Sequence, residues 1–168
     1  MTDSQTRVAT AEEFRAMMRG FPTGVAVVTT TDLTGRPWGM TCSSVCSVTL
    51  EPPTLLLSLR VGSPTLAAVL ESGHFALNLL HALGQDTAEL FGSSSRHRFD
   101  HVRWEQPLDA AGPHLFEDAH SIADCRVGRH DRVGDHEVVY GQPYRVTEHQ
   151  GHSPLLYGRR NFRPWPGP

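Results

Sequence analysis

The feature that most constrains the fold of this chain is a β-branched segment that is followed at once by turn residues. Residues Val25–Thr31 read Val-Ala-Val-Val-Thr-Thr-Thr, which is typical of a buried β-strand. Residues 32–37 contain Gly35, and they predict a hairpin connection. The next segment, Trp38–Leu50, has strand composition and stops at Glu51-Pro52-Pro53. Two long strands joined by a short turn favour an antiparallel sheet.

The rest of the chain continues as short strands that are interrupted by a few helices. Further strands are predicted at residues 54–59, 75–80, 121–130, 136–146 and 155–157. Helices are predicted after a capping box of Thr10 and Glu13, after the pair Ser63-Pro64, and at residues 86–91. This pattern predicts a mainly β fold with peripheral helices, in the form of an antiparallel barrel. We expect one domain at residues 10–162, with residues 1–9 and 163–168 as tails.

Composition and charge argue against several classes of protein. The formal net charge is -3, whereas nucleic-acid-binding domains are usually basic. No apolar run approaches the roughly 20 residues of a membrane span, and the first residues lack the apolar core of a secretion signal. An odd count of 3 cysteines without such a signal indicates free thiols. We therefore expect a cytoplasmic protein that binds neither nucleic acid nor membranes.

The cysteines and histidines do not form the pattern of a metal site. Cys42 and Cys46 are four residues apart on a predicted strand, about 13 Å, which is too far for a disulfide or one tetrahedral metal. The 10 histidines are scattered and include no HExxH motif. The glycine-rich dinucleotide motif, the P-loop and the GxSxG elbow are absent as well. We therefore expect no metal site.

Strand alternation divides the segment Met40–Leu50 into two faces. One face carries Met40, Cys42, Ser44, Cys46, Val48 and Leu50, and the other carries Thr41, Ser43, Val45, Ser47 and Thr49. The first face is predicted to join the core. The second combines small volume with hydroxyl groups, which suits a flat heteroaromatic ligand with polar edges and a phosphate. A solvent-facing strand rich in serine and threonine is the alternative.

Seven segments along the chain carry a family resemblance. They are Phe21–Thr30, Gly39–Pro53, Ser63-Pro64-Thr65, Phe75–Leu80, Arg98-Phe99, Gly134-Asp135-His136 and Pro154–Tyr157. The second of them is a G-x-T-x-x-S run that ends in a Pro-Pro pair. In this order the segments resemble the landmarks of the flavin reductase family, the short flavin:NAD(P)H oxidoreductases. The resemblance covers about residues 10–162.

The resemblance implies an FMN-binding split β-barrel, a homodimer, and reduction of FMN or FAD by NADH or NADPH. It also implies a partner oxygenase that receives the reduced flavin. Hydride transfer between the two nucleotides needs no dedicated side-chain acid or base, and none of the usual triads is visible. Two alternatives remain open, a flavin carrier or sensor without turnover and a self-contained FMN enzyme that acts on an organic substrate. The choice between the two flavins and between the two nicotinamides is also open.

The resemblance further implies which residues bind the flavin. Along the central segment, the ring would be lined by Thr41, Cys42, Ser43, Ser44 and Ser47. Backbone N–H groups would contribute there as much as hydroxyls. The N-terminus of a helix attracts phosphate, and such a helix starts at Ser63 and Thr65. Plain N-capping is the alternative for these two residues.

Four later residues complete the implied site. Arg98, followed by Phe99, would pair with a flavin phosphate, and Arg96 is a weaker candidate. His136 would lie on the nicotinamide side of the flavin as the catalytic residue. Tyr157 would stack near the site. The alternatives are a solvated loop arginine, a surface histidine beside a turn and a core tyrosine.

Overall fold

The computed structural model describes residues 7–149 and 151–166. In chain order the elements are α1 (Ala11–Arg19), β1 (Thr23–Gly24), β2 (Ala26–Thr31), β3 (Pro37–Cys42), β4 (Val45–Leu50), β5 (Pro53–Arg60), α2 (Pro64–Ser72), β6 (His74–Leu80), α3 (Gln85–Gly92), a 3-10 helix (Arg98–Asp100), β7 (Ala119–Val133), β8 (His136–Glu148), β9 (Leu155–Gly158) and β10 (Asn161–Pro164). The predicted mainly β fold with peripheral helices is confirmed.

Seven strands form one antiparallel sheet in the order β3-β2-β6-β7-β8-β5-β4. The two edge strands, β3 and β4, are consecutive in the chain and are separated only by Ser43 and Ser44. The sheet therefore curves back on itself without closing by hydrogen bonds, which is the split form of a barrel. A second sheet, in the order β1-β9-β10, lies beside it.

The strand β2 is buried on both faces, and this explains why apolar residues occupy consecutive positions at its start. Ala26 and Val28 pack in one core cluster, with Leu57, Leu59, Val69, Phe75 and Val139. Val25 and Val27 pack in a second cluster, with Leu80, Ala88, Phe91, Leu115 and Leu155. The helix α2 supplies residues to the first cluster, and α3 supplies residues to the second. The two helices thus cover opposite faces of the same strand.

The predicted helix starts are confirmed, but α1 differs from α2 in its packing. The capping box of Thr10 and Glu13 is formed, with the Glu13 N–H donating to Thr10 Oγ1 at 3.2 Å. No residue of α1 is buried, so its apolar stripe of Phe14, Met17, Met18 and Phe21 is exposed. In α2, the side chain of Ser63 caps the first turn and Gly73 ends the helix at φ 71°, where glycine is favoured.

The predicted strand Trp38–Leu50 is interrupted, and the predicted faces hold only for its first half. Cys42 is buried, as alternation predicts, and Thr41 is on the opposite face. After the break at Ser43 and Ser44 the chain enters the other edge of the sheet, so the alternation does not continue. Val45 packs against the core, whereas Cys46 is exposed. The expectation that Cys46 faces the interior was wrong.

The C-terminal boundary also differs from the prediction. Arg163 and Pro164 belong to β10, and the Trp165 N–H donates to the Pro154 carbonyl oxygen at 2.8 Å. The predicted tail is therefore paired in its first part, and residues 167 and 168 lie outside the described ones. Within residues 7–149 and 151–166, none of the helices is long and apolar enough to cross a membrane. The same residues contain no group of three or more His, Cys, Asp or Glu that could hold a metal ion.

Candidate active site

Several of the predicted site residues lie around the edge strand β3. The first turn of α2 approaches one face of β3, where Ser63 Oγ is 3.8 Å from Met40 Sδ. The helix α3 lies on the other face, where Thr41 Oγ1 donates to the Ala88 carbonyl oxygen at 2.6 Å. The segment 93–99, which follows α3, runs along the same edge. Two cavities open beside this strand.

The two cavities differ in their lining. The first, which we call the arginine cavity, has a volume of about 420 Å³ and is lined by Arg36–Gly39, Pro64, Thr65, Ser94–Arg96, Arg98 and Phe99. The second, the hydroxyl cavity, has a volume of about 410 Å³ and is lined by Val25, Thr41, Ser43, Ala88, Glu89, Gly92, Ser93, Tyr157, Arg160 and Phe162. Both volumes fall within the range of small-molecule sites.

Gly39 permits the close approach of the segment 93–99 to β3. A Cβ atom at this position would lie 2.7 Å from Phe91 Cε1 and 3.2 Å from Phe99 Cζ. Phe99 packs edge-on against Phe91, with 5.1 Å between the ring centroids. The wall of the arginine cavity therefore depends on the missing side chain of Gly39 as much as on the aromatic rings.

Arg98 joins two parts of this wall. Its Nη1 donates to the Gly39 carbonyl oxygen at 2.7 Å, and its Nη2 donates to the carbonyl oxygen of Ser93. Burial lowers the pKa of Arg98, and its Nε is buried without a hydrogen-bond partner among the described residues. Two backbone carbonyls thus take up the guanidinium that was predicted to pair with phosphate.

The arginine cavity is nevertheless suited to an anion. Its lining contains three arginines and, within the described part of the chain, no carboxylate. The start of α2 adds a backbone donor. Pro64 has no N–H, and the Leu66 N–H donates to Ser63 Oγ at 3.1 Å. In this first turn the Thr65 N–H is therefore the one available to a ligand. Positive charge beside a free helix N–H favours binding of a phosphate group.

The hydroxyl cavity combines polar and aromatic walls. Tyr157 packs against Phe162 with 5.0 Å between ring centroids. Between these two residues, Arg159 and Arg160 form the β9–β10 turn at φ 50° and 62°, a backbone region that non-glycine residues rarely adopt. The turn places Arg160 in the cavity wall with Ser43. The hydroxyl of Thr41 is already bonded to Ala88 and helps to fix α3.

Seven of the predicted residues line the two cavities, and the others do not; one of the seven is Arg96, the weaker candidate, in the arginine cavity. Thr65, Arg98 and Phe99 line the arginine cavity, and Thr41, Ser43 and Tyr157 line the hydroxyl cavity. Ser63 is the N-cap beside the first of these cavities. Ser44 and Ser47 are exposed and line neither cavity. Their roles in flavin binding remain predictions.

The side chain of Cys42 faces the core, so a role of Cys42 in flavin binding stays a prediction for its backbone N–H only. Its side chain is buried in the first core cluster, and burial raises the pKa of its thiol. Its Sγ lies 3.8 Å from the Ser58 carbonyl oxygen, on the side of β3 away from Thr41. Contact between this side chain and a ligand in either cavity is therefore excluded by its position in the core.

His136 lies at the start of β8, directly after the turn at Gly134 and Asp135. It pairs in register with Arg60, and the Val61 N–H donates to the Asp135 carbonyl oxygen at 2.9 Å. These contacts connect the hairpin tip to the segment that leads into α2. His136 Nδ1 is 2.9 Å from Asp135 Oδ1, and this bond lowers the pKa of Asp135. His136 lines neither cavity, so its catalytic role remains a prediction.

Sequence reasoning missed Arg36, Trp38 and Arg160. The first two lie in and beside the β2–β3 hairpin, whose sequence predicts a turn and no binding role. Arg160 lies in a two-residue turn of a type that usually contains Asn or Gly, so its composition gave no signal. The position of Arg36 next to the glycine-containing central segment was the one available indication.

We predict that replacing Arg98 by alanine weakens binding of FMN and of riboflavin alike. The substitution removes two hydrogen bonds from a charged donor, and the loss of about 1.5–3 kcal/mol lowers both affinities because the segment 93–99 moves away from β3. Fluorescence titration with both flavins measures the effect. A loss confined to FMN would contradict this prediction and would assign Arg98 to phosphate binding.

Comparisons with known proteins agree with this geometry. The family model described as the flavin reductase like domain matches residues 18–166. A flavin reductase (NADPH) from Lentzea aerocolonigenes is 51% identical over 157 residues, which cover 93% of this chain and 91% of the relative. A solved NADH:FAD oxidoreductase of Streptomyces globisporus, in complex with NAD and FAD fragments, has a TM-score of 0.86 and 26% identity over 96% of this chain and 98% of its own. BorF, the flavin reductase component of a bacterial two-component tryptophan halogenase, has a TM-score of 0.84 and 27% identity over 95% of this chain and 100% of its own.

Proposed function

The chain belongs to the flavin reductase family, and we propose that it reduces free FMN or FAD with NADH or NADPH. The observation that carries this proposal is the 51% identity to a flavin reductase over nearly the full length of both chains. The arrangement of the two cavities around β3 supports it independently, because one cavity suits a phosphate and the other suits a flat ring with polar edges.

The bound nucleotides supply the chemistry, in which a hydride passes from nicotinamide C4 to flavin N5. The protein has to hold the two reacting atoms about 3–3.5 Å apart and to exclude misaligned poses. Thr65 and the arginine cavity would hold the phosphate end of the flavin. Ser43, Tyr157 and Phe162 would bound the ring in the hydroxyl cavity. His136, at the hairpin tip, would approach from the side of the nicotinamide.

The reduced flavin is passed to a separate oxygenase. This part of the proposal rests on relatives such as BorF, which serves a two-component halogenase. The carrier and the self-contained enzyme are the two alternatives that the assay below separates.

The proposal is tested by following NADH and NADPH oxidation with FMN, FAD and riboflavin. We expect turnover that depends on added flavin and exceeds the uncatalysed rate by orders of magnitude. Tight retention of flavin without nicotinamide oxidation would instead establish a carrier. Turnover of an organic substrate without a second protein would establish the self-contained enzyme. Absence of any rate with all six combinations would contradict the proposed activity.

We further propose a homodimer, with α1 and β4 at its interface. The side chains of Met17 and Leu50 are 63% and 81% exposed, and both residues belong to apolar surfaces that nothing covers in the described single chain. The strand β4 is also an unpaired sheet edge, which proteins usually cover. A symmetric pair of chains would bury both features.

We predict that light scattering gives twice the chain mass of 18.5 kDa at micromolar concentration. Replacing Leu50 by aspartate should shift the mass toward the monomer, because it places a charge in an apolar interface. Leu33→Asp is a matched control, since Leu33 is equally exposed in the β2–β3 turn, away from α1 and β4. A monomeric parent protein, or equal effects of both variants, would contradict the proposed interface.

A cytoplasmic location is also proposed, since the substrates NADH and NADPH are found there. The three cysteines are unpaired, which agrees with a reducing compartment.

A further inference from the structure

The lip of the arginine cavity carries a tryptophan that is held in place from two sides. Trp38 Nε1 donates to Asp32 Oδ2 at 2.8 Å. The guanidinium carbon of Arg36 lies over the indole ring, 4.3 Å from its centroid. The other carboxylate oxygen of Asp32 accepts from the backbone N–H groups of Thr34 and Arg36, at 2.9 and 3.0 Å. Asp32 therefore fixes both the turn and the indole plane before any ligand binds.

Two arginines of this cavity have no hydrogen-bond or ion-pair partner for their guanidinium groups among the described residues. Arg98 donates to Gly39 and Ser93, as described above. The side chains of Arg36 and Arg96, in contrast, make no hydrogen bond or ion pair with residues 7–149 and 151–166, and the Arg36 guanidinium lies over the indole face. Two such guanidinium groups beside a fixed aromatic ring are suited to a nucleotide. The guanidinium groups can pair with its phosphate, and the ring can stack on its base.

We propose that Arg36, Trp38 and Arg96 form a subsite for the adenosine monophosphate part of FAD, which is the part that FMN lacks. The inference rests on the proposed function, because it takes the arginine cavity as part of the flavin site. It goes further by naming which flavin the chain prefers and which residues decide it. Arg36 and Arg96 bind the phosphate next to the adenosine, and Trp38 supports the adenosine itself.

The cavity offers two separate positions for phosphate, and FMN needs only one. The Thr65 N–H at the start of α2 lies on one side of β3, and it suits the phosphate that FMN and FAD share. Arg36, on the hairpin, and Arg96, on the segment after α3, line the same cavity from elements other than α2. In the proposed subsite these two arginines bind the second phosphate, which is present in FAD and absent from FMN, so the extra charge pairs act on FAD alone.

NADH and NADPH also contain an adenosine diphosphate half. The location of the arginine cavity argues against binding of their adenosine at Trp38. Thr65, Arg98 and Phe99, which belong to the flavin side of the site by family resemblance, line the same cavity as Arg36 and Trp38. His136, expected on the nicotinamide side, does not line it. A chain that binds the flavin phosphate at Thr65 therefore has the adenosine of FAD, rather than that of the nicotinamide, within reach of Trp38.

The test compares the parent protein with the Arg36→Ala and Trp38→Leu variants. Each protein is titrated with FAD, FMN and ADP, and calorimetry measures the three affinities. We expect the parent to bind FAD more tightly than FMN and to bind ADP in competition with FAD. Each variant should lose about ten- to hundredfold in affinity for FAD and ADP, and less than about twofold for FMN. Arg103→Ala is the matched control, since Arg103 is an exposed arginine that pairs with Glu117 outside the cavity. Thermal melting of each variant verifies that the fold is retained.

Three results would overturn the subsite. Equal losses for FAD and FMN would mean that the residues act on the shared part of the flavin or on loop order. An unchanged affinity for FAD with a raised KM for NADH or NADPH would assign the residues to the nicotinamide nucleotide. A parent protein that reduces FMN but does not bind ADP would also refute the subsite. Loss of the proposed function is distinguished by the absence of flavin-dependent turnover in the parent.

Discussion

Replacing Asp124 by asparagine is expected to lower the free energy of unfolding by about 1.5–3 kcal/mol, because an amide NH2 replaces one oxygen of a buried carboxylate that accepts three hydrogen bonds. The Asp124 side chain is fully buried in β7. It accepts hydrogen bonds from the Ala111 N–H at 2.7 Å, from His114 Nε2 at 2.9 Å and from Arg145 Nε at 2.7 Å. One carboxylate thus holds the segment around Ala111 and His114 against the sheet.

The same contacts predict the pH dependence of stability. Burial acts to raise the pKa of Asp124, but the bonds from His114, Arg145 and the Ala111 N–H outweigh it and hold the pKa below its ordinary value. A carboxyl whose folded pKa is lowered stabilises the fold above its unfolded pKa of about 3.9, and this contribution disappears as the pH falls through the folded pKa. Asp124→Asn should therefore show a smaller loss of stability between neutral pH and pH about 3 than the parent.

Urea unfolding at several pH values measures both effects. Asp100→Asn serves as the control, since Asp100 is exposed and its one ion pair with the described residues is a surface contact with His97, worth about 0–1 kcal/mol. A change in unfolding free energy of less than about 1 kcal/mol for Asp124→Asn would contradict the role assigned to this carboxylate.

Replacing Gly39 by valine is expected to abolish flavin-dependent NADH oxidation while the protein remains folded. The first added carbon alone would lie 2.7 Å from Phe91 Cε1, and Phe91 is fully buried and has little room to move. The segment 93–99 would then separate from β3, which breaks the bond between Arg98 and the Gly39 carbonyl oxygen and opens the arginine cavity. Overpacking of this kind costs about 1–3 kcal/mol of stability.

Gly24→Ala is the matched control for this substitution. Gly24 lies on β1, and a Cβ atom there would meet no other atom within 4 Å. We expect this variant to keep its flavin affinity and its melting temperature. A Gly39→Val protein that melts normally and retains full activity would show that the cavity wall tolerates the displacement, and it would remove the arginine cavity from the proposed site.

Local sequence signals were sufficient for the positions of most elements. The pair Ser63-Pro64 and the later Gly73 delimit a helix because a hydroxyl caps the first turn, proline lacks an N–H there, and glycine accepts a positive φ. The run Val25–Thr31 formed a buried strand because its β-branched residues pack on both sides. The Thr10 capping box likewise depends on residues only three positions apart.

Alternation failed where the chain changed its direction relative to the sheet. The faces of Thr41 and Cys42 followed from the period of a strand, but Cys46 lies beyond the break at Ser43 and Ser44. The sequence carried no proline or glycine at this break. The curvature of the sheet determined the position of the break, because β3 and β4 have to lie at opposite edges.

The sequence by itself determined most of the strands, the helix ends and the membership of the flavin reductase family, because these depend on neighbouring residues and on motifs in a fixed order. Tertiary structure decided which side chains form the cavities. Arg98 and Gly39 are 59 positions apart, and Thr41 and Ala88 are 47 apart. Contacts of that kind depend on how an edge strand, a helix start and a loop pack together. Local propensity is set by the nearest few residues, so it contains no information on which distant carbonyl takes up a guanidinium or which arginine remains free for a phosphate.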